Sequence, residues 1–209
     1  MRPRETIKEI FIIILASLIL ALTVAFKDTN ILLYAIISFL IILTINVLVK
    51  KMIGYKFETL VRTKFWTWYQ FGFRKDMHFK KPIPMLWFPL LIALFTKGFF
   101  FWLGILEFDV EAKAERVSKR HGLYRFSEVT EWHMALIATW AIIANIILAI
   151  AAYIAGFELF TKLSIYFIVW SIIPFGRLDG SKIFYSSRAL WATISTIAIL
   201  TLIWSLTIL

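Results

Sequence analysis

The chain has 209 residues, 61% of them hydrophobic and only 17% charged, with 20 Phe and 9 Trp. Few soluble domains could hide that much apolar surface, so composition argues against a water-soluble fold and for an integral membrane protein. The absence of Cys excludes a disulfide framework and any thiolate metal site, and the formal charge of +10 points to basic loops facing anionic lipid rather than to nucleic-acid binding.

Taken in order, a short mixed-charge head ends at Glu9 and an apolar run follows from Ile10 to Phe26. At about 17 residues it just reaches the length needed to span a bilayer. Arg2, Arg4 and Lys8 would also suit the leader of a signal peptide, but the run is long for a signal core and no small-residue cleavage site follows. A permanent anchor with a cytoplasmic N-terminus is expected. After the polar turn Lys27-Asp28-Thr29-Asn30, Ile31 to Val49 reads as a second span.

From Lys50 to Pro84 cations alternate with rings, among them Lys50, Lys51, Arg62, Lys64, Trp66, Trp68 and Tyr69. Rings resting at the interface and cations meeting anionic headgroups account for that mixture. RNA binding is disfavoured because the segment lies between membrane runs. Trp66, Trp68, Trp87, Trp102, Trp132 and Trp191 are all read as interfacial anchors. Met85 to Leu106 resembles a span but carries Lys97 and Gly98 in its middle. If it crossed, Lys113, Arg116, Lys119, Arg120 and Arg125 would move outside, against the positive-inside rule. A segment that enters and returns on the cytoplasmic side is expected, with Lys97 snorkelling to that surface.

Leu106 to Val117 alternates apolar and charged residues, and Leu123 to Val129 alternates again after the turn-like Ser118 to Gly122. That pattern predicts a β-hairpin with one wet face. Met134 to Phe157 is the next span, Glu158 to Lys162 an outside turn, Leu163 to Leu178 a fourth span and Ala189 to Leu209 a fifth. The predicted fold class is therefore an all-α polytopic membrane protein forming one domain over 1–209. Its spans fall near 10–26, 31–49, 134–157, 163–178 and 189–209, and a re-entrant and hairpin-bearing cytoplasmic insert covers 50–133.

The stretch Ser171-Ile172-Ile173-Pro174-Phe175-Gly176-Arg177-Leu178-Asp179-Gly180 places a carboxylate at the edge of a span. An ionisable residue there marks a functional site by default, with a partner nearby. Pro174, Leu178, Asp179 and Gly180, with the Ser181-Lys182-Ile183 tail, resemble the last block of the site-2 intramembrane metalloproteases. In that family the Asp is the third zinc ligand. Ile142-Ile143-Ala144-Asn145 occupies the place of the family's G-P-x-x-N segment, with Ala141 and Ile142 for its Gly and Pro. The resemblance runs from about Lys8 to Trp191 and implies a prokaryotic cell-membrane protein of site-2-protease-like fold. Under the topology above the depths of Asn46, Asn145 and Asp179 agree, so the three are expected to converge across a small polar pocket near the cytoplasmic surface, in the former metal-site region with Pro174 and Gly180.

The family's helix carrying H-E-x-x-H binds zinc through two His residues and activates water with the Glu. Here the run from Ile31 to Val49 holds neither His nor carboxylate, and the chain's three histidines, His78, His121 and His133, include no i, i+4 pair. Asn46 is the polar residue left to face Asp179, and an amide oxygen is a poor zinc ligand. The reading that follows is a non-catalytic pseudoprotease without cofactor, binding membrane segments or partner proteins in a bilayer with anionic headgroups. An active zinc metalloprotease with non-standard ligands, Asp179 with His133 or His78, is the alternative. A small transporter or lipid-binding protein is a third. Each residue has a plainer reading too. Asp179 can cap the helix after it or pair with Arg177, Lys182 or Arg188. Asn46 and Asn145 can bond across helices, and Glu131 with His133 can form a solvated interface cluster.

Overall fold

A computed structural model describes residues 3–70, 78–113 and 129–208. The described chain is mostly helical, and four of its helices are long and apolar enough to cross a membrane, over Thr6–Val24, Thr29–Lys56, Glu131–Ile154 and Arg188–Thr207. The architecture is that of a helical membrane protein. Its helices are α1 (Pro3–Val24), α2 (Leu32–Lys56), α3 (Phe88–Phe95), α4 (Glu131–Ile154), α5 (Glu158–Ile172), α6 (Asp179–Ser186) and α7 (Arg188–Ile208). Its strands are β1 (Thr59–Phe65), β2 (Thr67–Gln70), β3 (His78–Pro84) and β4 (Leu106–Ala112).

The turn between α1 and α2 is set locally. Asp28 Oδ1 accepts the Asn30 N–H at 3.0 Å, which holds a short 3-10 turn over Thr29–Ile31 and starts α2 in the reverse direction. α2 runs through Lys50 and Lys51 to Lys56, a full two turns beyond the expected end of the second span. The two lysines therefore belong to the last turns of this helix. The chain reverses at Glu58, whose φ is 53°, and Thr59 Oγ1 donates to Gly54 O at 2.8 Å, so β1 folds back along the end of α2.

β1 pairs antiparallel with β4, from Thr59 opposite Ala112 to Phe65 opposite Leu106. The predicted strand at Leu106 is present, but its partner among the described residues is β1, and the other half of the predicted hairpin lies almost wholly outside them. The period of two does what the alternation implied. Arg62, Lys64, Asp109 and Glu111 form one wet face, with ion pairs of 2.7 Å for Lys64–Asp109 and 3.1 Å for Arg62–Glu111. Val61, Phe65, Leu106, Phe108 and Val110 share the opposite face, and all five pack into the helical cores. β2 and β3 form a second antiparallel pair.

Residues 85–105 leave from and return to one point. The Trp66 O accepts the Met85 N–H at 3.0 Å, and the Trp66 N–H donates to Ile105 O at 2.8 Å. Between these ties α3 runs beside α1 and the turn after it reaches Lys27, whose ammonium lies 5.4 Å from the Phe99 ring centroid. Exposed Lys97 thus sits beside the α1–α2 turn, at the opposite end of α1 from Lys51, rather than snorkelling back towards the basic insert. Trp66 and Trp102 are not interfacial anchors either. Trp66 is 1% exposed, stacked 5.8 Å from Trp102 and ringed by Trp68, Phe88 and Phe175. Trp87 and Trp132 are exposed, as an anchor would be.

α4 packs against α2, α5 and α6, while α7 leans on α5 and α6. α5 differs from the expected fourth span at both ends. It starts at Glu158, whose carboxylate suits the positive end of a helix, so the supposed outside turn is helical. It stops at Ile172, since Ile173 precedes Pro174 and is driven extended, with φ −62° and ψ 127°.

Candidate functional site

The site lies where the end of α5, the start of α6 and the last turns of α2 meet. Pro174 ends α5, and the chain turns through Gly176 at φ +58°, a conformation that suits a residue without Cβ. A methyl on Gly176 would also stand 2.8 Å from Trp66 Nε1. Leu178, extended at φ −64° and ψ 167°, precedes the first residue of α6, Asp179. Gly180 presses α6 onto the end of α5 so closely that a Cβ would lie 2.1 Å from the Ile172 carbonyl oxygen. That carbonyl, freed by the end of its helix, accepts the Trp191 indole N–H at 2.9 Å. Pro174, Gly176 and Gly180 thus each have a local structural reason.

Asp179 does not cap α6 through its side chain and does not take Arg177, Lys182 or Arg188 as its ion-pair partner. Its Oδ2 lies 2.6 Å from Lys50 Nζ, with the two side chains 6% and 5% exposed. Lys50 follows Asn46 by one helical turn, so both project from one face of α2. Asn46, Lys50, Ser171 and Asp179 line a single small cavity. Roughly 10 Å³ of it is open to the centre of a water molecule, about the room for one. Asp179 Oδ1 and Asn46 Nδ2 are buried without a protein partner. Asn145 is buried on α4, with neither amide atom partnered, but it does not line this cavity. The cavity thus joins Asn46 and Asp179, adds Lys50 and is not lined by Asn145.

Lys50 was missed by sequence reasoning because it was assigned to the headgroup layer. The usable signal was its i, i+4 relation to Asn46, since both then face whatever Asn46 faces.

A second lysine backs the pair. Lys182 Nζ lies 3.4 Å from the Phe108 ring centroid and donates to the Phe108 carbonyl, and Lys50 Nζ lies 4.8 Å from the same ring. Both cations thus share one aromatic ring of β4. Burial pushes the Lys182 ammonium down to about 8, with Asp179 opposing the shift and Lys50 adding to it. Burial also raises Glu107, against N–H and hydroxyl bonds from Thr67. Asp109 feels burial as well, but the hydrogen bond and charge of Lys64 hold it below the usual carboxylate range.

A divalent metal does not fit these groups. Zinc sites take about three strong donors, whereas Asp179 here meets an ammonium and shares its cavity only with an amide and a hydroxyl. Among the described residues no three His, Cys, Asp or Glu side chains are grouped to hold a metal. His133 lies at the start of α4, bonded through Nδ1 to Thr130 Oγ1 and set edge-on 5.0 Å from Phe57. Because Glu131 and His133 are both helical there, two residues apart, they diverge rather than share a face. The side chain of His78 and all of His121 fall outside the described residues.

Comparison of the chain with protein-family models, with curated proteins and with solved structures finds no match.

Proposed function

We propose that this chain is a non-catalytic membrane protein of site-2-protease-like build, in which an internal ammonium stands where the enzymes hold zinc. The observation that carries the reading is the buried 2.6 Å contact between Lys50 and Asp179. If Asn46-Val47-Leu48-Val49-Lys50 is set on the family's H-E-x-x-H, Asn46 and Lys50 take the two imidazole positions and Val47 takes that of the water-activating Glu. Lys50 then supplies to Asp179 the positive charge that a metal would supply. Charge balance is kept, while the Lewis acid and the general base are both lost. What remains is the small polar cavity and the surface around it at one end of the bundle, which this reading gives to a membrane segment or a partner protein. On the same reading Lys50 to Arg125 and the Asp179 loop share the cytoplasmic side with the N-terminus, and residues 85–105 enter and return from that side.

The test is metal analysis of the purified chain, paired with cleavage of a tagged membrane substrate. The expected result is no stoichiometric zinc and no chelator-sensitive cleavage. Near-stoichiometric zinc that disappears in Asp179→Ala would overturn the proposal, as would cleavage abolished by that substitution or by His133→Ala.

A further inference from the structure

The backbone of the β1–β4 pair has a definite inside and outside. In an antiparallel pair, residues directly opposite each other alternate between exchanging both backbone bonds and turning both away. Trp66 N–H donates to Ile105 O, and Lys113 N–H donates to Glu58 O. In the register of the pair, those two rungs are bonded ones and every second rung between them is not. Thr63 and the Phe108 opposite it form one of the unbonded rungs. Their N–H and C=O groups therefore point away from each other, out of the two edges of the sheet.

On each edge one of these outward groups is taken by a charged helix side chain. Glu9 Oε1 of α1 accepts the Thr63 N–H at 3.1 Å. The Lys182 ammonium of α6 donates to the Phe108 carbonyl and lies 3.4 Å from that residue's ring centroid. The two edges are backed differently. α1 and α2 both run close to β1, so helices already wall off that side. Among the described elements only β1 runs closely beside β4, and α6 meets the Phe108 carbonyl with a side chain rather than with backbone.

An edge left in that state is a template for another strand. A strand adding to β4 has to set an N–H on the Phe108 carbonyl, which is the acceptor that the ammonium holds. Burying an ammonium is costly, and an apolar side chain could cover the Phe108 ring without that cost. What the lysine adds is a donor and a charge at the one outward carbonyl in the middle of the edge. We propose that Lys182 is an edge guard, which closes the outer side of β4 to a third strand. The guard acts at a backbone carbonyl and does not depend on how the Lys50–Asp179 pair is read.

A free strand with the sequence of β1 is the strongest challenge to it, because Arg62 and Lys64 suit the acidic Asp109 and Glu111 of β4. The experiment uses the full chain in detergent and a fluorescent peptide of the sequence Thr59 to Phe65, with binding read by anisotropy. A copy of the peptide N-methylated throughout lacks the backbone donors and cannot pair as a strand. Wild type and Lys182→Arg are expected to bind the two peptides equally poorly. Lys182→Met should bind the unmodified peptide at least tenfold more tightly than wild type does, and the methylated copy no better. Equal binding of the unmodified peptide by wild type and Lys182→Met overturns the proposal, as does a gain that the methylated copy shares. Should Lys182→Met fail to fold, Lys182→Gln, whose shorter side chain also gives up the charge, is judged by the same outcomes.

Discussion

Replacing Lys50 by Met keeps most of the side-chain volume and removes the charge. Asp179, 5% exposed, would then lose the partner that lies 2.6 Å from its Oδ2, and its Oδ1 has no protein partner already. Removing one member of a buried pair typically costs about 3–5 kcal/mol, because the other charge is left uncompensated. Two groups soften the loss here. Asp179 opens α6, where the helix dipole is worth about 0.3–1 kcal/mol, and the Lys182 ammonium already senses it. A loss of about 3 kcal/mol is therefore expected, a large part of the roughly 5–15 kcal/mol that holds a typical domain together. Asp179→Asn should cost less, since the stranded ammonium keeps its place 4.8 Å from the Phe108 ring. Lys50→Met/Asp179→Leu should restore or exceed wild-type stability, as paired apolar replacements often do. Unfolding of the purified protein in mixed micelles, followed by circular dichroism, supplies all four corners of the cycle once the single Asp179→Leu variant is measured beside them. A Lys50→Met loss under about 1 kcal/mol, or a double variant as unstable as the two singles summed, would refute the reasoning.

Gly180→Ala should destabilise by at least the 1–3 kcal/mol usual for overpacking, since its Cβ would meet the Ile172 backbone at 2.1 Å, and the recovery of monodisperse protein after purification reads this out. Gly176→Ala combines a φ of +58° with a 2.8 Å approach to Trp66 Nε1, so a loss of roughly 1–2 kcal/mol with a shifted tryptophan emission is expected. Lys182 has an ordinary value of 10.5 and is pushed down to about 8 by burial, so between those pH values the unfolded chain binds more protons. Stability should rise between about pH 8 and 10.5, by about 2 kcal/mol once the partial exposure of the side chain is allowed for, and Lys182→Met should remove that rise.

Much of the architecture was legible because the bilayer and the core ask for simple patterns. Four long apolar runs appear as helices, three of them within a few residues of their expected bounds and the second running on to Lys56, and the alternation after Leu106 is a strand with one wet face. What failed depended on distant partners. The pairing of β4 with β1 joins residues more than forty positions apart, and a period of two names a strand without naming its neighbour. The aromatic residues between the spans looked alike in sequence, yet Trp66 is a core residue and Trp87 is exposed. Only the chain's closure at Trp66, which bonds to both Met85 and Ile105, separates them.

The site shows the same division more sharply. Asp179 was flagged by its depth and by the Leu-Asp-Gly resemblance, and Asn46 as the polar residue of the second span left to face it, because hydrocarbon makes any lone polar group conspicuous. Lys50 escaped because cations at the end of an apolar run are assigned to the headgroups by default. A carboxylate buried in a membrane protein has to be answered by something, however, and the second span offers neither histidine nor carboxylate, and the chain no thiol, to hold a metal there. The answering cation must then come from a lysine or arginine at matching depth. Lys50 meets that condition, one turn beyond the Asn46 that was already expected to face Asp179. Pro174, Gly176 and Gly180 are accounted for by the end of α5, the approach to Trp66 and the approach to Ile172, and Asp179 by Lys50. A Leu-Asp-Gly block in a membrane chain is therefore explicable by packing and charge pairing alone. Whether it carries chemistry turns on what stands across from the Asp.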